Sequence, residues 1–290
     1  MFADANPRGR ARLEASRRVG AGIAAETFSG ASDVRAVAVA DFDNDGDDDV
    51  IVLTDDQGQT QGQFPNLFLC RGQAGSVPLA AAEAVDAATL HTGAQLAPVR
   101  NATTGLFDVL SLLPDNAATT PNVRILHNTG GGTFGSPTDL AIPTPPGGTT
   151  PTPVAVATGR VTGVTAPYIA CADFANNQIV VYVDFGTGYQ LASSIVVSNS
   201  LLIHPKSIIA TDLEADGDDD LVVGFDDGST ISVLTCLGRG RFAQMTLPSG
   251  SRPRFVTSGD VDGNGLPDIL EVGGDDVSSH LRVIFSNCVM

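Results

Sequence analysis

Three short stretches of the sequence crowd carboxylates together at one spacing. They read DFDNDGDDD at Asp41–Asp49, DLEADGDDD at Asp212–Asp220 and DVDGNGLPD at Asp260–Asp268. At neutral pH neighbouring carboxylates repel one another. An exposed, glycine-containing turn would tolerate that repulsion; alternatively, the carboxylates surround a bound cation. The recurrence of one spacing in three places favours the cation.

The spacing suits Ca²⁺, a hard cation that takes about six to eight oxygen ligands. In D-x-D-x-D-G-x-x-D, side chains 1, 3, 5 and 9 point into one concavity, and the glycine at position 6 permits the bend that turns carbonyl 7 inward. In the second loop Glu214 stands at position 3 and is one methylene longer than its counterparts, which makes that site, site two, less regular. The predicted ligands of the three calcium sites are Asp41, Asp43, Asp45, Asp49 and the Asp47 carbonyl; Asp212, Glu214, Asp216, Asp220 and the Asp218 carbonyl; and Asp260, Asp262, Asn264, Asp268 and the Leu266 carbonyl.

An EF-hand would present a similar loop, and site three even has Glu271 at position 12. An EF-hand requires amphipathic helices on both sides of its loop. Here the flanks are SRPRFVTSG and ILEVGGDD, which are rich in Pro, Gly and β-branched residues, and position 12 is Val52 or Val223 in the other two loops. The loops are therefore predicted to join strands.

The acidic loops belong to a repeated unit. A β-rich run enters each loop and a second β-rich run leaves it, and self-comparison places five copies, beginning near residues 34, 95, 153, 205 and 253. Copies two and three keep the strand–loop–strand outline but open their loops with Asn101 and Gly159 and lack the acids. We predict no metal in those two copies.

Each copy continues into a glycine-rich turn, such as NTGGGTF at residues 128–134, which predicts a third strand and a fourth strand opened by Phe134 or Phe242. Four short strands in a period of about 50 residues form one blade of a β-propeller. The predicted fold is therefore all-β, a propeller of five four-stranded blades spanning residues 31–290.

Residues 1–30 are predicted to form a basic arm followed by a closing strand. The last copy supplies three strands, and Arg17–Gly30 ends in a Phe-containing segment that could pair beside Leu281–Ser286. Such pairing would close the last blade and leave no long exposed edge. The alternative is that another chain completes the blade.

These repeats resemble the FG-GAP and VCBS family, whose β-propeller repeats also occur in the head of integrin α subunits. The resemblance rests on the three acidic loops between hydrophobic strands and on NTGGGTF, and it covers the chain after about residue 30. It implies calcium bound between the first two strands of a blade. The chain departs from the integrin pattern in having five repeats instead of seven.

Composition excludes several partner classes. The chain has 33 Asp and Glu against 16 Lys and Arg, a formal charge of -17, which argues against nucleic acid. No apolar run is long enough to span a membrane, and no signal peptide is visible at the N-terminus. The four cysteines lie far apart without a CxxC pair, which disfavours zinc and leaves their disulfide state open: Cys70, Cys171, Cys236 and Cys288.

No catalytic constellation is evident in the sequence. It contains no G-x-S-x-G, no phosphate-binding glycine loop and no HExxH. The four histidines occupy unrelated repeat positions and are expected to be surface or turn residues: His91, His127, His204 and His280. We therefore expect a protein that is not an enzyme.

Three functions remain open. The first is a calcium-binding propeller that recognises a protein or glycan ligand, or mediates adhesion, outside the cytoplasm, at the cell surface or in a periplasm, where calcium is abundant. The second is a carbohydrate-binding or polysaccharide-lyase-like propeller, disfavoured by the absence of Trp and the presence of only three Tyr. The third is a structural subunit of a larger assembly, with docking through the N-terminal arm or the propeller rim.

Overall fold

The structure is a computed structural model of the 290-residue chain, and it describes residues 2–5, 11–19, 22–28, 33–55, 67–72, 83–85, 95–113, 122–197, 202–275 and 278–286. Within these ranges the regular elements are all β-strands. No helix among them is long and apolar enough to cross a membrane.

The strands follow the repeat. The first group is β1 (Phe2–Ala5), β2 (Ala11–Val19), β3 (Gly22–Phe28), β4 (Asp33–Ala40), β5 (Asp49–Asp55), β6 (Leu67–Cys70) and β7 (Glu83–Val85). The second is β8 (Leu96–Arg100), β9 (Phe107–Leu113), β10 (Asn122–Leu126), β11 (Asn128–Gly130), β12 (Thr133–Phe134) and β13 (Thr138–Ala141). The third is β14 (Pro153–Gly159), β15 (Tyr168–Asp173), β16 (Gln178–Asp184) and β17 (Tyr189–Val196). The last is β18 (Leu202–Thr211), β19 (Asp220–Gly228), β20 (Thr230–Cys236), β21 (Phe242–Pro248), β22 (Phe255–Gly259), β23 (Asp268–Gly274) and β24 (Ser279–Ile284).

These strands make five antiparallel blades, and the prediction of a five-bladed β-propeller is confirmed. The blade orders are β4-β5-β6-β7, β13-β10-β9-β8, β14-β15-β16-β17, β18-β19-β20-β21 and β22-β23-β24. Among the described strands the fifth blade therefore has three members. β1, β2 and β3 form a further sheet, and β11 and β12 form a small hairpin.

The chain divides into two compact units, residues 1–113 with 124–138, and residues 114–123 with 139–290. The core of the first unit is apolar side chains of its first two repeats, among them Phe42, Ile51, Leu53, Val109 and Leu126. Two apolar clusters stand out among the described residues of the second unit. One gathers Tyr168, Val181, Val223 and Phe225 with their neighbours, and the other gathers Val222, Ile231, Val256 and Ile269.

Burial along a blade explains its sequence pattern. Every residue of YIACAD in β15, and all but the last residue of QIVVYVD in β16, are buried, because both faces of a middle strand are covered. The fourth strands β17 and β21 are mostly exposed. Continuous apolar runs therefore mark the middle of a blade, and mixed sequences mark its outer edge.

The turn prediction needs one correction. Phe242 opens the fourth strand β21 as expected. Phe134, by contrast, ends the two-residue β12, and the fourth strand of that blade is β13, which begins at Thr138. The side chain of Phe134 instead packs on the core of the first unit, with its ring centroid 6.2 Å from that of Phe42.

The predicted closing segment Arg17–Gly30 covers the end of β2 and all of β3. These two strands pair with each other, from Leu13 opposite Phe28 to Val19 opposite Gly22. The pairings do not test the association of this segment with the last blade, which stays a prediction.

One buried charge interrupts the apolar pattern. Glu271 stands in β23 at the position that Val52 and Val223 occupy in β5 and β19, and all three side chains are fully buried. Its Oε1 lies 2.6 Å from Nε2 of His280, and no described residue donates a hydrogen bond to its Oε2. A buried carboxylate with an unsatisfied oxygen costs stability.

We therefore expect Glu271→Val to raise the free energy of unfolding by about 1 kcal/mol, because the change removes a buried carboxyl group whose Oε2 has no donor, while the side chain of His280 is 28% exposed and can hydrogen-bond to water instead. Chemical denaturation at neutral pH measures this, and Glu271→Gln serves as the control that keeps size and polarity. A loss of stability in the valine variant would show that the contact with His280 holds the blade together.

Candidate metal centres

Each acidic loop joins the first two strands of its blade. The strand register pairs the residue before loop position 1 with the residue at position 9, giving Ala40 opposite Asp49, Thr211 opposite Asp220 and Gly259 opposite Asp268. Positions 1 and 9 therefore lie close together where two paired strands end, and positions 1 to 9 form the site.

The aspartate at position 1 organises the loop around itself. Its two oxygens accept the backbone N–H groups of positions 5 and 6 in all three loops, at 3.0–3.1 Å: Asp45 and Gly46 on Asp41, Asp216 and Gly217 on Asp212, and Asn264 and Gly265 on Asp260. The glycine at position 6 has a φ of +95°, +94° or +89°. This left-handed conformation explains why glycine recurs there.

The aspartate at position 9 is buried and ties the loop to the rest of the blade. One oxygen accepts an N–H from its own loop, and the other accepts an N–H from the end of the third strand. The donors are Phe42, Asp43 and Gly72 to Asp49, Leu213 and Cys236 to Asp220, and Val261 and Ser286 to Asp268, at 2.7–3.2 Å. This residue is an architectural anchor as well as a predicted ligand.

Two of the three loops bring carboxylates together. In site one, oxygens of Asp41, Asp43 and Asp49 lie within 4.8 Å of one another, and in site three those of Asp260, Asp262 and Asp268 do the same. These two clusters could hold a metal ion. At position 5, the side-chain oxygens of Asp45, Asp216 and Asn264 accept the N–H of position 7 at 2.8–2.9 Å.

Site two differs because its third position is longer. The Glu214 side chain is hydrogen-bonded to Asp220. Burial, reinforced by the charge of Asp220, raises the pKa of Glu214 to about 7. Burial also raises the pKa of Asp220. The predicted irregularity of this loop is thus a direct contact between two of its carboxyl groups.

The anchors also differ electrostatically. Burial raises the pKa of Asp49 in spite of its three backbone donors. Burial works in the same direction on Asp268, but the donors from Ser286, Val261 and Asp262 outweigh it, so the pKa of Asp268 lies below its ordinary value. Similar spacing therefore does not make the sites electrostatically alike.

Copy two keeps an anchor that the sequence comparison missed. Its loop is one residue shorter, and the buried Asp108 accepts the N–H of Asn128 at 2.8 Å. The side-chain nitrogen Nδ2 of Asn101 and Nδ1 of His127 contact the other oxygen of Asp108. The signal was present in LFDVLSLL, which aligns with DDDVIVL once a gap is allowed.

Copy three replaces the site with an aromatic ring. A side chain at Gly159 would overlap the ring of Tyr168, whose hydroxyl donates to the Asp219 carbonyl in the loop of site two at 2.7 Å. Arg160 pairs with the Asp219 carboxylate, and the N–H of Thr162 donates to Asp218. The Asp218 side chain is therefore bound to Thr162 of the neighbouring copy, and the predicted ligand at this position is the backbone carbonyl of Asp218.

Site one also receives contacts from distant residues that its loop sequence does not reveal. Nη1 of Arg71 lies 2.6 Å from Oδ2 of Asp43, and the side-chain nitrogen Nδ2 of Asn128 donates to the Phe42 carbonyl at 2.6 Å. Because Arg71 follows Asp43 by 28 residues, only the pairing of β5 with β6 brings it to the site.

Residues 212–271 match the family model of the FG-GAP-like repeat. The match begins at position 1 of site two and ends after site three, so it includes two acidic loops and the strands between them. Together with the five blades, this match supports an FG-GAP repeat propeller. A search of curated proteins found no match to it.

The donor set of the FG-GAP loops fits a hard cation. Carboxylate, amide and carbonyl oxygens line the three loops, and none of the predicted ligands is a thiolate or an imidazole. Oxygen donors of this kind are preferred by Ca²⁺ and Mg²⁺, whereas soft metals prefer sulfur and nitrogen. The residues of sites one and three thus suit calcium.

The anchor at position 9 can be separated from an ordinary ligand by mutation. We expect Asp268→Ala to lower the free energy of unfolding by about 3 kcal/mol in chelator, because the N–H groups of Val261 and Ser286 lose their acceptor. Asp262→Ala, at an exposed position of the same loop, should change stability by no more than about 0.5 kcal/mol in chelator. Denaturation of both variants measures the difference; equal effects would contradict the assignment of Asp268 as an anchor.

Proposed function

We propose that this FG-GAP propeller is a non-enzymatic, calcium-stabilised recognition or adhesion module that acts outside the cytoplasm. The observation that carries the proposal is the set of three loops in one register, lined by oxygen donors, two of which gather three carboxylates within 4.8 Å. The propeller fold and family match support a recognition module.

In this proposal each loop contributes its side chains 1, 3, 5 and 9 and its carbonyl 7. Calcium would supply the positive charge that allows these carboxylates to remain ionised at close range. The backbone donors to positions 1 and 9 already hold the loop folded, so the ligands are arranged before the cation arrives. Site two would need its Glu214–Asp220 hydrogen bond to open.

Calcium is preferred to magnesium because the loops are built mostly of protein oxygens. Mg²⁺ demands near-octahedral geometry and keeps several of its waters, whereas Ca²⁺ accepts a larger, irregular shell. Extracellular modules of this kind bind calcium with dissociation constants of about 10⁻⁴ to 10⁻³ M. Loops in that range would be filled outside the cell and empty in resting cytosol, which supports an extracellular, cell-surface or periplasmic location.

The histidines support a role that does not involve catalysis. Each described histidine contacts a carboxylate on its own blade: His127 with Asp108, His204 with Asp227, and His280 with Glu271. These pairs lie at three different places in the repeats, and Nε2 of His127 also contacts Oγ1 of Thr138 at 2.8 Å, which links the second and fourth strands of its blade through a hydrogen-bonded chain. They are the arrangement expected of structural residues.

A second function, subunit of a larger assembly, is favoured by the last blade. The strand register places Phe255, Val272 and Leu281 in one row across β22, β23 and β24, and these side chains are 56%, 43% and 66% exposed. An exposed apolar row on a sheet is typical of an interaction surface. A fixed-stoichiometry complex that Leu281→Lys abolishes would support this function over free ligand recognition.

Calcium titration into chelator-treated protein tests the main proposal. At ten times its dissociation constant each occupied site adds about 1.4 kcal/mol of stability by mass action. Three divalent ions would also bring the formal charge from -17 to -11, which eases self-repulsion. We therefore expect the melting temperature to rise with calcium and fall with chelator.

Magnesium at the same concentration is the control and should raise the melting temperature much less. A variant with Asp43→Ala and Asp262→Ala should lose most of the calcium-dependent rise. An unchanged melting temperature across the titration, with no heat of binding in calorimetry, would overturn the proposed calcium binding.

A further inference from the structure

Arg71 places a positive charge inside site one. It follows β6 directly, and its Nη1 lies 2.6 Å from Oδ2 of Asp43, the residue at loop position 3. The side chains of Arg71 and Asp43 are only 25% and 11% exposed. Because this pair is shielded from water, it is stronger than an ordinary surface salt bridge.

The other acidic loops treat their third position differently. The strand register shows which residues of the other blades correspond to Arg71. The residue that follows loop position 9 pairs with a residue of the third strand, and the next residue along the chain is Arg71 in blade one, Thr235 in blade four and Phe285 in blade five. In site three, Oδ2 of Asp262 accepts a hydrogen bond from the side chain of Asn264 within the same loop. A guanidinium in this place is therefore a particular property of site one.

The guanidinium is also held from its other side. Nη2 of Arg71 donates to the Gly131 carbonyl at 2.9 Å. At Gly132, which has a φ of +70°, an added Cβ would lie 2.5 Å from Cδ2 of Leu69 and 3.0 Å from Nη2 of Arg71. The glycine turn of copy two therefore fits closely around Arg71 and fixes its direction.

We propose that Arg71 is an affinity-determining residue for site one, whose guanidinium competes with a divalent cation for the Asp43 carboxylate. This inference rests on the proposed calcium binding. A cation that enters site one must share Asp43 with Arg71 or displace it. Displacement would also break the contact with Gly131, so binding at site one is opposed by a contact between copies one and two.

Isothermal titration calorimetry of the full chain tests the inference. Arg71→Thr introduces the residue that blade four has at this position. We expect it to tighten calcium binding at site one roughly tenfold, which corresponds to about 1.4 kcal/mol. The calcium-binding site with the increased affinity must disappear when Asp43→Ala is added to Arg71→Thr, because Asp43→Ala removes a predicted ligand of site one and of no other site.

Two further variants make the result specific. Arg71→Gln removes the charge but keeps a donor for the Gly131 carbonyl, so it should tighten binding in the same direction and serves if the threonine variant folds poorly. Arg254→Thr is the matched control, since Arg254 pairs with Asp226, and neither residue belongs to an acidic loop. It should leave every calcium affinity within about twofold.

The outcomes separate this inference from the proposed function. Calcium binding by the unaltered chain, with unchanged or weaker binding at site one in both Arg71 variants, would overturn the role of Arg71 alone. Absence of calcium binding in the unaltered chain and in all variants would overturn both. A comparable tightening in Arg254→Thr would show a general effect of net charge and would also overturn the role of Arg71.

Discussion

The structure depends on a buried aspartate that accepts backbone hydrogen bonds from two directions. At Asp49, Asp220 and Asp268 one oxygen takes an N–H of the acidic loop and the other takes an N–H at or just beyond the end of the third strand. Burial of such N–H groups without an acceptor is costly. The carboxylate therefore joins loop to blade. In copy two, where no metal is predicted, Asp108 likewise accepts the N–H of Asn128 beyond the third strand, while the side-chain amide of Asn101 contacts its other oxygen, so the anchoring role does not depend on a predicted metal.

The copies that lack acids support the loops that have them. In the first unit, the Asn128 side chain of copy two donates to the Phe42 carbonyl, and the glycine turn of copy two accepts a hydrogen bond from Arg71 through the Gly131 carbonyl. In the second unit, copy three provides Tyr168, Arg160 and Thr162 to the Asp218–Asp219 segment of site two. Copies two and three, which carry no predicted ligands, thus contact and support the acidic loops of their neighbours. Each acidic loop so supported is held by its neighbour as well as by its own blade.

The sequence was sufficient for the fold because its signals are local and repeated. Alternating and continuous apolar runs, glycine turns and acidic loops recur with one period, so five blades and the places of three loops follow directly. The rest depends on contacts between distant residues. Arg71 reaches Asp43 only through strand pairing, Asp108 is hidden by a one-residue deletion, and the role of Phe134 depends on where the next strand starts. Ligand spacing likewise cannot show that Asp49 is committed to three backbone donors.

Equal spacing also conceals three different solutions to one electrostatic problem. Site one gathers four ligand carboxylates, and the single charge of Arg71 leaves a formal charge of -3. Site three reaches the same -3 with three carboxylates and the neutral Asn264. Site two also has four carboxylates, but burial and the charge of Asp220 raise the pKa of Glu214 to about 7, and the Glu214 side chain is hydrogen-bonded to Asp220. A loop of nine residues cannot keep four ionised carboxylates together without compensation. The guanidinium of Arg71 provides that compensation in site one, the neutral amide of Asn264 in site three, and the hydrogen bond between Glu214 and Asp220 in site two. The glycine at position 6 gives the three loops the same bend, whereas the residue at position 3 or 5 and its contacts make them differ in charge.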